Sequence, residues 1–198
     1  MKPSVAAFDF DGTLTIRDTF QTFVRLNSSG AAYMVNLLLS SPKLALYASG
    51  LAPNQFHKMD VFSRRFRGMP QAEFVARARI FSLETVPSML RAEASARLKF
   101  HRAQGHTIII LSASLDTWIR PWAESAGIEH VLGSRPAIVN GLITGELLGQ
   151  NCHGPEKVRR LSELFPDRSS YTLYAYGDSL GDRQLLDYAD HAFYRCFS

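Results

Sequence analysis

Two aspartates one residue apart, Asp9 and Asp11, lie in the run Phe8-Asp9-Phe10-Asp11-Gly12-Thr13-Leu14-Thr15, directly after the apolar stretch Val5-Ala6-Ala7-Phe8. If that stretch is a strand, residues two apart share a face, so both carboxylates can point into one pocket. Carboxylates held close either repel, raising one pKa, or share a cation. Both outcomes serve phosphoryl transfer: one carboxylate attacks phosphorus as an ionised nucleophile while the other carries a proton to the leaving oxygen. Gly12 permits a sharp turn, and Thr13 offers a hydroxyl for a cap or a nearby hydrogen bond.

Three further places carry compatible chemistry. Ser112, with Ala113 and Ser114 after it, follows the apolar run ending Ile110-Leu111. A hydroxyl and free backbone N–H groups at a strand end suit phosphate oxygens, although a serine there is also a common turn former. Lys157 follows Gly154-Pro155-Glu156, so it falls in the first turn of a helix, beside the positive end of the dipole. That is a poor place for a lysine unless it faces an anion; the alternative is a solvated surface lysine. In Tyr176-Gly177-Asp178-Ser179-Leu180-Gly181-Asp182, acids again follow an apolar run. Mg²⁺ takes one or two protein carboxylates plus water and phosphate oxygens, and Asp178 can supply one. Asp182 can bind a cation directly or through water, orient Lys157, or cap the helix expected from Arg183.

The elements that must position these residues follow from periodicity and punctuation. Val5–Phe8, Thr107–Leu111, His130–Leu132, Tyr171–Tyr176 and His191–Tyr194 read as strands. Helices are expected around 118–126, 156–165 and 183–189, and Asn140-Gly141 between apolar residues signals a hairpin. Strands alternating with helices predict an α/β fold with a doubly wound parallel sheet, whose ligands bind beyond the carboxyl ends of the strands. Residues 17 to about 100 break the alternation. They read as four or five helices punctuated at Ser28-Ser29-Gly30, Ser41-Pro42, Gly50 to Pro53, Gly68 to Pro70 and Pro87, an all-helical insertion outside the sheet.

The chain's 198 residues suffice for one domain with an insertion, and a 46% hydrophobic, 20% charged composition excludes disorder, collagen and coiled coil. Twenty-two Lys plus Arg against 18 Asp plus Glu leave a net charge of +4. That mild excess suits a phosphorylated ligand, and no nucleic-acid module accompanies it. Cys152 and Cys196 make no disulfide framework, and nothing ahead of Val5 has signal-peptide form, so a reduced, cytoplasmic setting is expected. The apolar stretch 31–51 is interrupted too often to span a membrane. Its segment 35–51 reads as helix-packing core or, alternatively, as a surface for a lipid tail or membrane.

In order along the chain, Asp9-x-Asp11-Gly12-Thr13, Ser112, Lys157 and Gly177-Asp178-x-x-x-Asp182 resemble the four motifs of the haloacid dehalogenase superfamily of hydrolases. The resemblance implies a Rossmann-like core over 1–16 and 100–198 with a helical cap over 17–99, similar to the subclass IB group that contains phosphoserine phosphatase. It also implies Asp9 as a nucleophile forming an aspartyl-phosphate and Asp11 as general acid and base. Ser112, Ala113 and Lys157 would hold the phosphoryl group, and Mg²⁺ would lie on Asp9, Asp178 and the Asp11 carbonyl. Gly12, Thr13 and Asp182 would support them. The expected substrate is a small phosphorylated metabolite; a lipid phosphate such as phosphatidylglycerophosphate, or a non-catalytic phosphate-binding role, are the alternatives. Two departures bear on phosphoserine: Asp18 stands where that enzyme has a glutamate that reads the substrate amine, and Ala113-Ser114 stand for two glycines. Asp18 can equally be a helix N-cap. Arg64, Arg65 and Arg67 form a basic cluster that either meets a second anionic group or lies on an exposed helix face.

Overall fold

The computed structural model describes residues 2–48 and 54–197. The chain begins with β1 (Ser4–Phe8) and passes through helices α1 (Thr19–Leu26), α2 (Gly30–Ala48), α3 (Asn54–Phe66), α4 (Gln71–Ile80) and the short α5 (Val86–Met89). It returns by α6 (Ala92–Ala103) to β2 (Thr107–Leu115) and α7 (Asp116–Ser125). Then follow β3 (His130–Ser134), β4 (Pro136–Val139), β5 (Leu142–Leu147), α8 (Pro155–Leu164), β6 (Thr172–Gly177), α9 (Arg183–Tyr188) and β7 (His191–Tyr194).

Five of these strands form one parallel sheet in the order β3-β2-β1-β6-β7. The pleat sends alternate residues to opposite faces, and both faces are covered. Ala6, Phe8, Ile108 and Ile110 join the core on one side; Val5, Ala7, Ile109, Leu111, Leu173 and Ala175 join α8 and α9 on the other through Leu161 and Leu185. This is the Rossmann-like α/β core expected from the alternating elements.

One strand departs from expectation. β2 does not stop at Leu111 but runs to Leu115, with a register shift against β3 between Ser112 and Leu115. Ser112 therefore lies within the strand rather than at its end. The irregularity frees the last residues of the strand from regular pairing, which is where bulged strands re-aim side chains.

The inserted helices leave and rejoin the core at adjacent points. Ile16 N–H donates to the Met89 carbonyl at 2.8 Å and Arg91 N–H to the Leu14 carbonyl at 2.9 Å, pairing the two linkers around Thr15 and Leu90. Asp18 caps α1, accepting from Gln21 N–H at 3.0 Å. Helix α2 continues through Pro42, so the break expected at Ser41-Pro42 is absent; the punctuation at 50–53 lies outside the described residues. α6 packs on β2.

The insertion is also bound to the core by two other seams. Trp118 of α7 enters its aromatic cluster, stacking on Phe23 at 4.8 Å, and Trp122 N–H donates to Ser82 Oγ at 2.8 Å. The hairpin turns at Asn140 and Gly141, both left-handed (φ 50° and 75°), as a two-residue turn between strands requires. Its outer edge pairs with the insertion: Gly68 N–H donates to Ile143 O, Ile143 N–H to Met69 O and Gln71 N–H to Gly141 O, at 2.8, 2.9 and 2.8 Å.

Candidate active site

The carboxyl ends of β1, β2 and β6, the α8 N-terminus and the underside of the inserted helices enclose a cavity of about 720 Å³. Asp9 and Asp11 both line it, as period-2 placement requires. Lys157, only 2% exposed, donates to Asp9 Oδ1 and to Asp182 Oδ1, each at 2.5 Å. A lysine is buried this deeply only when its charge is matched. Its position in the first turn of α8 is thus explained by two facing anions rather than by solvent.

Asp182 does not cap α9. Its Oδ2 accepts from Asp178 N–H (3.2 Å), Ser179 N–H (3.0 Å) and Ser179 Oγ (2.7 Å), so it organises the loop after β6 while orienting Lys157. Asp178 Oδ1 accepts from Thr13 Oγ1 at 3.0 Å. Gly12 is left-handed at φ 83°, and any Cβ there would collide with Asp178 Oδ2; glycine is needed both for the turn and for the close approach of the two loops.

Asp11 is held from two directions. Its Oδ1 accepts from the N–H and Oγ1 of Thr19, both at 2.6 Å, and Oδ2 accepts from Ser114 Oγ. Thr19 Oγ1 in turn accepts from Trp118 Nε1 at 3.2 Å. The carboxyl proposed to move protons is therefore tied to the first residue of the first inserted helix. Ser112 is buried and its Oγ accepts from Ser114 N–H at 3.0 Å, while Ala113 and Ser114 line the cavity.

Burial sets the electrostatics. It pushes the Asp9 carboxyl up to about 8 despite Lys157, with Asp182 adding to the rise. Asp11 and Asp178 are also raised, chiefly by burial. Burial works against Asp182 too, but Lys157 and Ser179 hold it below the ordinary carboxylate range. Burial likewise opposes the charge of Lys157, and its two carboxylates more than offset that. The lysine is a fixed ammonium, Asp182 its fixed counter-charge, and Asp9 the partner whose charge responds to its surroundings.

Carboxylate oxygens of Asp9, Asp178 and Asp182 lie within 4.8 Å of one another. Hard oxygen donors in this number fit Mg²⁺ rather than a softer metal. Asp182 is already saturated by four donors, whereas Asp178 has one, so Asp9 and Asp178 are the better-placed pair.

Several residues without a sequence signature reach the site. Lys58 of α3 lines the cavity and pairs with Asp18 at 2.6 Å; burial works against its charge, but Asp18 and Asp11 hold its pKa up. His153, Arg17 and Arg195 also face the cavity. Arg64, Arg65 and Arg67 are not among its lining residues: they bond to Asp60, to the Asn27 carbonyl and to the Thr144 carbonyl.

Residues 6–187 match the family model described as haloacid dehalogenase-like hydrolase. The chain is 36% identical to protein CicA of Caulobacter vibrioides over 99% of its own length and 87% of that protein. It is 27% identical to the probable phosphatase Rv3661 of Mycobacterium tuberculosis, covering 96% of this chain and 67% of that one. Its fold superposes on a substrate-bound phosphoserine phosphatase with a TM-score of 0.66 at 15% identity, over 98% and 86% of the two chains.

Proposed function

The chain belongs to the haloacid dehalogenase-like hydrolases, and we propose that within this family it is a Mg²⁺-dependent phosphomonoester phosphatase. The observation that carries the reading is Asp9, buried against Lys157 and sharing one cavity with Asp11. Asp9 attacks phosphorus and forms the aspartyl-phosphate; the P–O bond to the substrate oxygen breaks as Asp11 donates a proton to that oxygen. Asp11 then takes a proton from the water that releases phosphate. Its raised pKa, caused by burial, suits the donor half of that cycle. Lys157 holds Asp9 in place and offsets charge on the phosphoryl group, and Ala113, which lines the same cavity, would add backbone donors to it, with buried Ser112 behind supporting the turn through Ser114 N–H. Mg²⁺ held by Asp9 and Asp178, with the Asp11 carbonyl as the third protein ligand, would shield the carboxylate and phosphoryl oxygens from each other's charge.

A small phosphorylated metabolite is the preferred substrate. Asp18 both caps α1 and pairs with Lys58, so its carboxylate is already matched and the phosphoserine amine loses its expected partner. A second reading, a lipid phosphate, is favoured by one observation: Met34, Val35, Leu38 and Leu39 of α2 are each more than half exposed and lie along one helical face. Among the described residues no helix is long and apolar enough to cross a membrane.

The test is phosphate release from a panel of soluble phosphomonoesters and detergent-dispersed phosphatidylglycerophosphate, with Mg²⁺ or EDTA, beside Asp9→Asn. The expected result is Mg²⁺-dependent turnover by the native chain alone. Equal turnover by Asp9→Asn would overturn the covalent mechanism. A folded native chain that binds phosphate but turns over nothing would replace it with the phosphate-binding role.

A further inference from the structure

We propose that Arg195 is a positioning residue for Asp178, and through it sets the affinity of the site for a divalent cation. Three observations converge on this residue. It is one of two non-glycine residues in the left-handed region among those described, with φ 48°. The other, Asn140, belongs to a hairpin turn that demands that conformation, whereas nothing in a strand end demands it of an arginine. Second, this single residue binds two successive carbonyls at the end of β6: its backbone N–H donates to Gly177 O at 2.9 Å and its Nε to Asp178 O at 2.8 Å. Third, Arg195 lines the same cavity as Asp178, and its guanidinium lies over the Tyr194 ring at 5.1 Å.

The groups around Asp178 are held by three different residues. Asp182 takes the N–H groups of 178 and 179, Thr13 takes the Asp178 carboxylate, and Arg195 takes the carbonyls of 177 and 178. Arg195 alone of these comes from outside the stretches recognised in the sequence. Groups that hydrogen-bond the surroundings of a ligand fix its orientation, and their loss commonly costs tenfold or more in metal affinity.

The inference rests on the phosphatase reading only in taking Asp178 as a cation ligand, and it is tested without substrate. Mg²⁺ binding is measured by calorimetric titration for the native chain, Arg195→Ala and Arg195→Lys, with thermal unfolding to confirm that each is folded. Arg195→Ala is expected to bind Mg²⁺ about tenfold more weakly. Arg195→Lys keeps the charge but has no donor at the Nε position, and it is expected to recover less than half of that loss on a logarithmic scale. Arg195→Gly, which also relieves the backbone, should bind as weakly as Arg195→Ala. Native-like Mg²⁺ affinity in Arg195→Ala would overturn the inference and leave the phosphatase reading standing, and full rescue by lysine would overturn the hydrogen-bonding role. A native chain that binds no Mg²⁺ would overturn the metal assignment and this inference together, whereas Mg²⁺ binding without turnover would be a failure of the phosphatase reading alone.

Discussion

At the scale of single residues, the site turns on how one buried ammonium is shared. Lys157 serves Asp9 and Asp182 at equal distance, yet the two carboxylates respond differently because Asp182 has the loop amides as well. Lys157→Met should leave two facing carboxylates without a counter-charge. The expected loss is about 3–5 kcal/mol of stability near pH 8 and at least about 100-fold in kcat/KM. The missing cation removes what holds Asp182 below the ordinary carboxylate range, and a carboxylate whose folded-state pKa rises destabilises the variant less as pH falls. The stability deficit should therefore shrink between pH 8 and pH 5, read from urea denaturation at both; a deficit that grows on acidification would contradict the assignment. Ser112 follows an apolar run, yet the strand continues past it and it is not among the cavity's lining residues; the acids and Lys157 are legible in the sequence because each follows an apolar run or opens a helix. Lys58, Thr19 and Arg195 are not. Lys58 meets a residue 40 positions away and Arg195 one 17 positions away, and a lone basic residue in a helix or tail has no local mark of what it will face.

At the scale of elements, α6 is joined to β6 across the buried sheet face by a polar contact. His101 Nε2 lies 2.8 Å from Tyr176 Oη and its Nδ1 2.8 Å from His106 Nδ1, within a ladder of stacked rings that includes Phe8 and Phe193. Two neutral rings can share one proton between their Nδ1 atoms; two cations cannot. Burial first, then His106 and Arg97, lower the His101 pKa from 6.5 to about 4. Between those values the unfolded chain binds a proton that the folded chain refuses, so this contribution is complete above pH 6.5 and is lost as pH falls towards 4. The difference in urea midpoint between the native chain and His101→Gln should narrow across that window, and a difference independent of pH would show that the ring does not titrate. The strands and helices themselves are legible from period and punctuation, with two exceptions of physical interest. β2 overruns Ser112 because its end is held by α7 and the bulge rather than by a turn residue. α2 runs through Pro42, a residue that weakens a helix by removing one hydrogen bond but does not always end it.

At the scale of the whole molecule, the inserted helices and the sheet share one aromatic core. Trp118 is fully buried, stacks on Phe23, and reaches Asp11 through Thr19. Trp118→Ala should cost about 3–5 kcal/mol and lower kcat as Thr19 loses its anchor. Trp118→Phe should restore most of the stability but less of the turnover, since it returns the packing without the indole N–H; parallel recovery of both would assign the residue to packing alone. Unfolding followed by tryptophan fluorescence and by circular dichroism should coincide, because the cluster belongs to both parts at once.

The adjacency of Thr15 and Leu90 invites the thought that the inserted helices could be excised and the gap closed with a few residues. The hairpin argues otherwise. Ile143 is 1% exposed on a strand that α3 and α4 pack against, and the edge of the hairpin borrows its partners from residues 68, 69 and 71. A gene shortened at that seam would encode a chain with an uncovered apolar ribbon and orphaned backbone groups, prone to pair with its neighbours. Helices and hairpin are one inheritance, two segments far apart in sequence that can be exchanged between proteins only together.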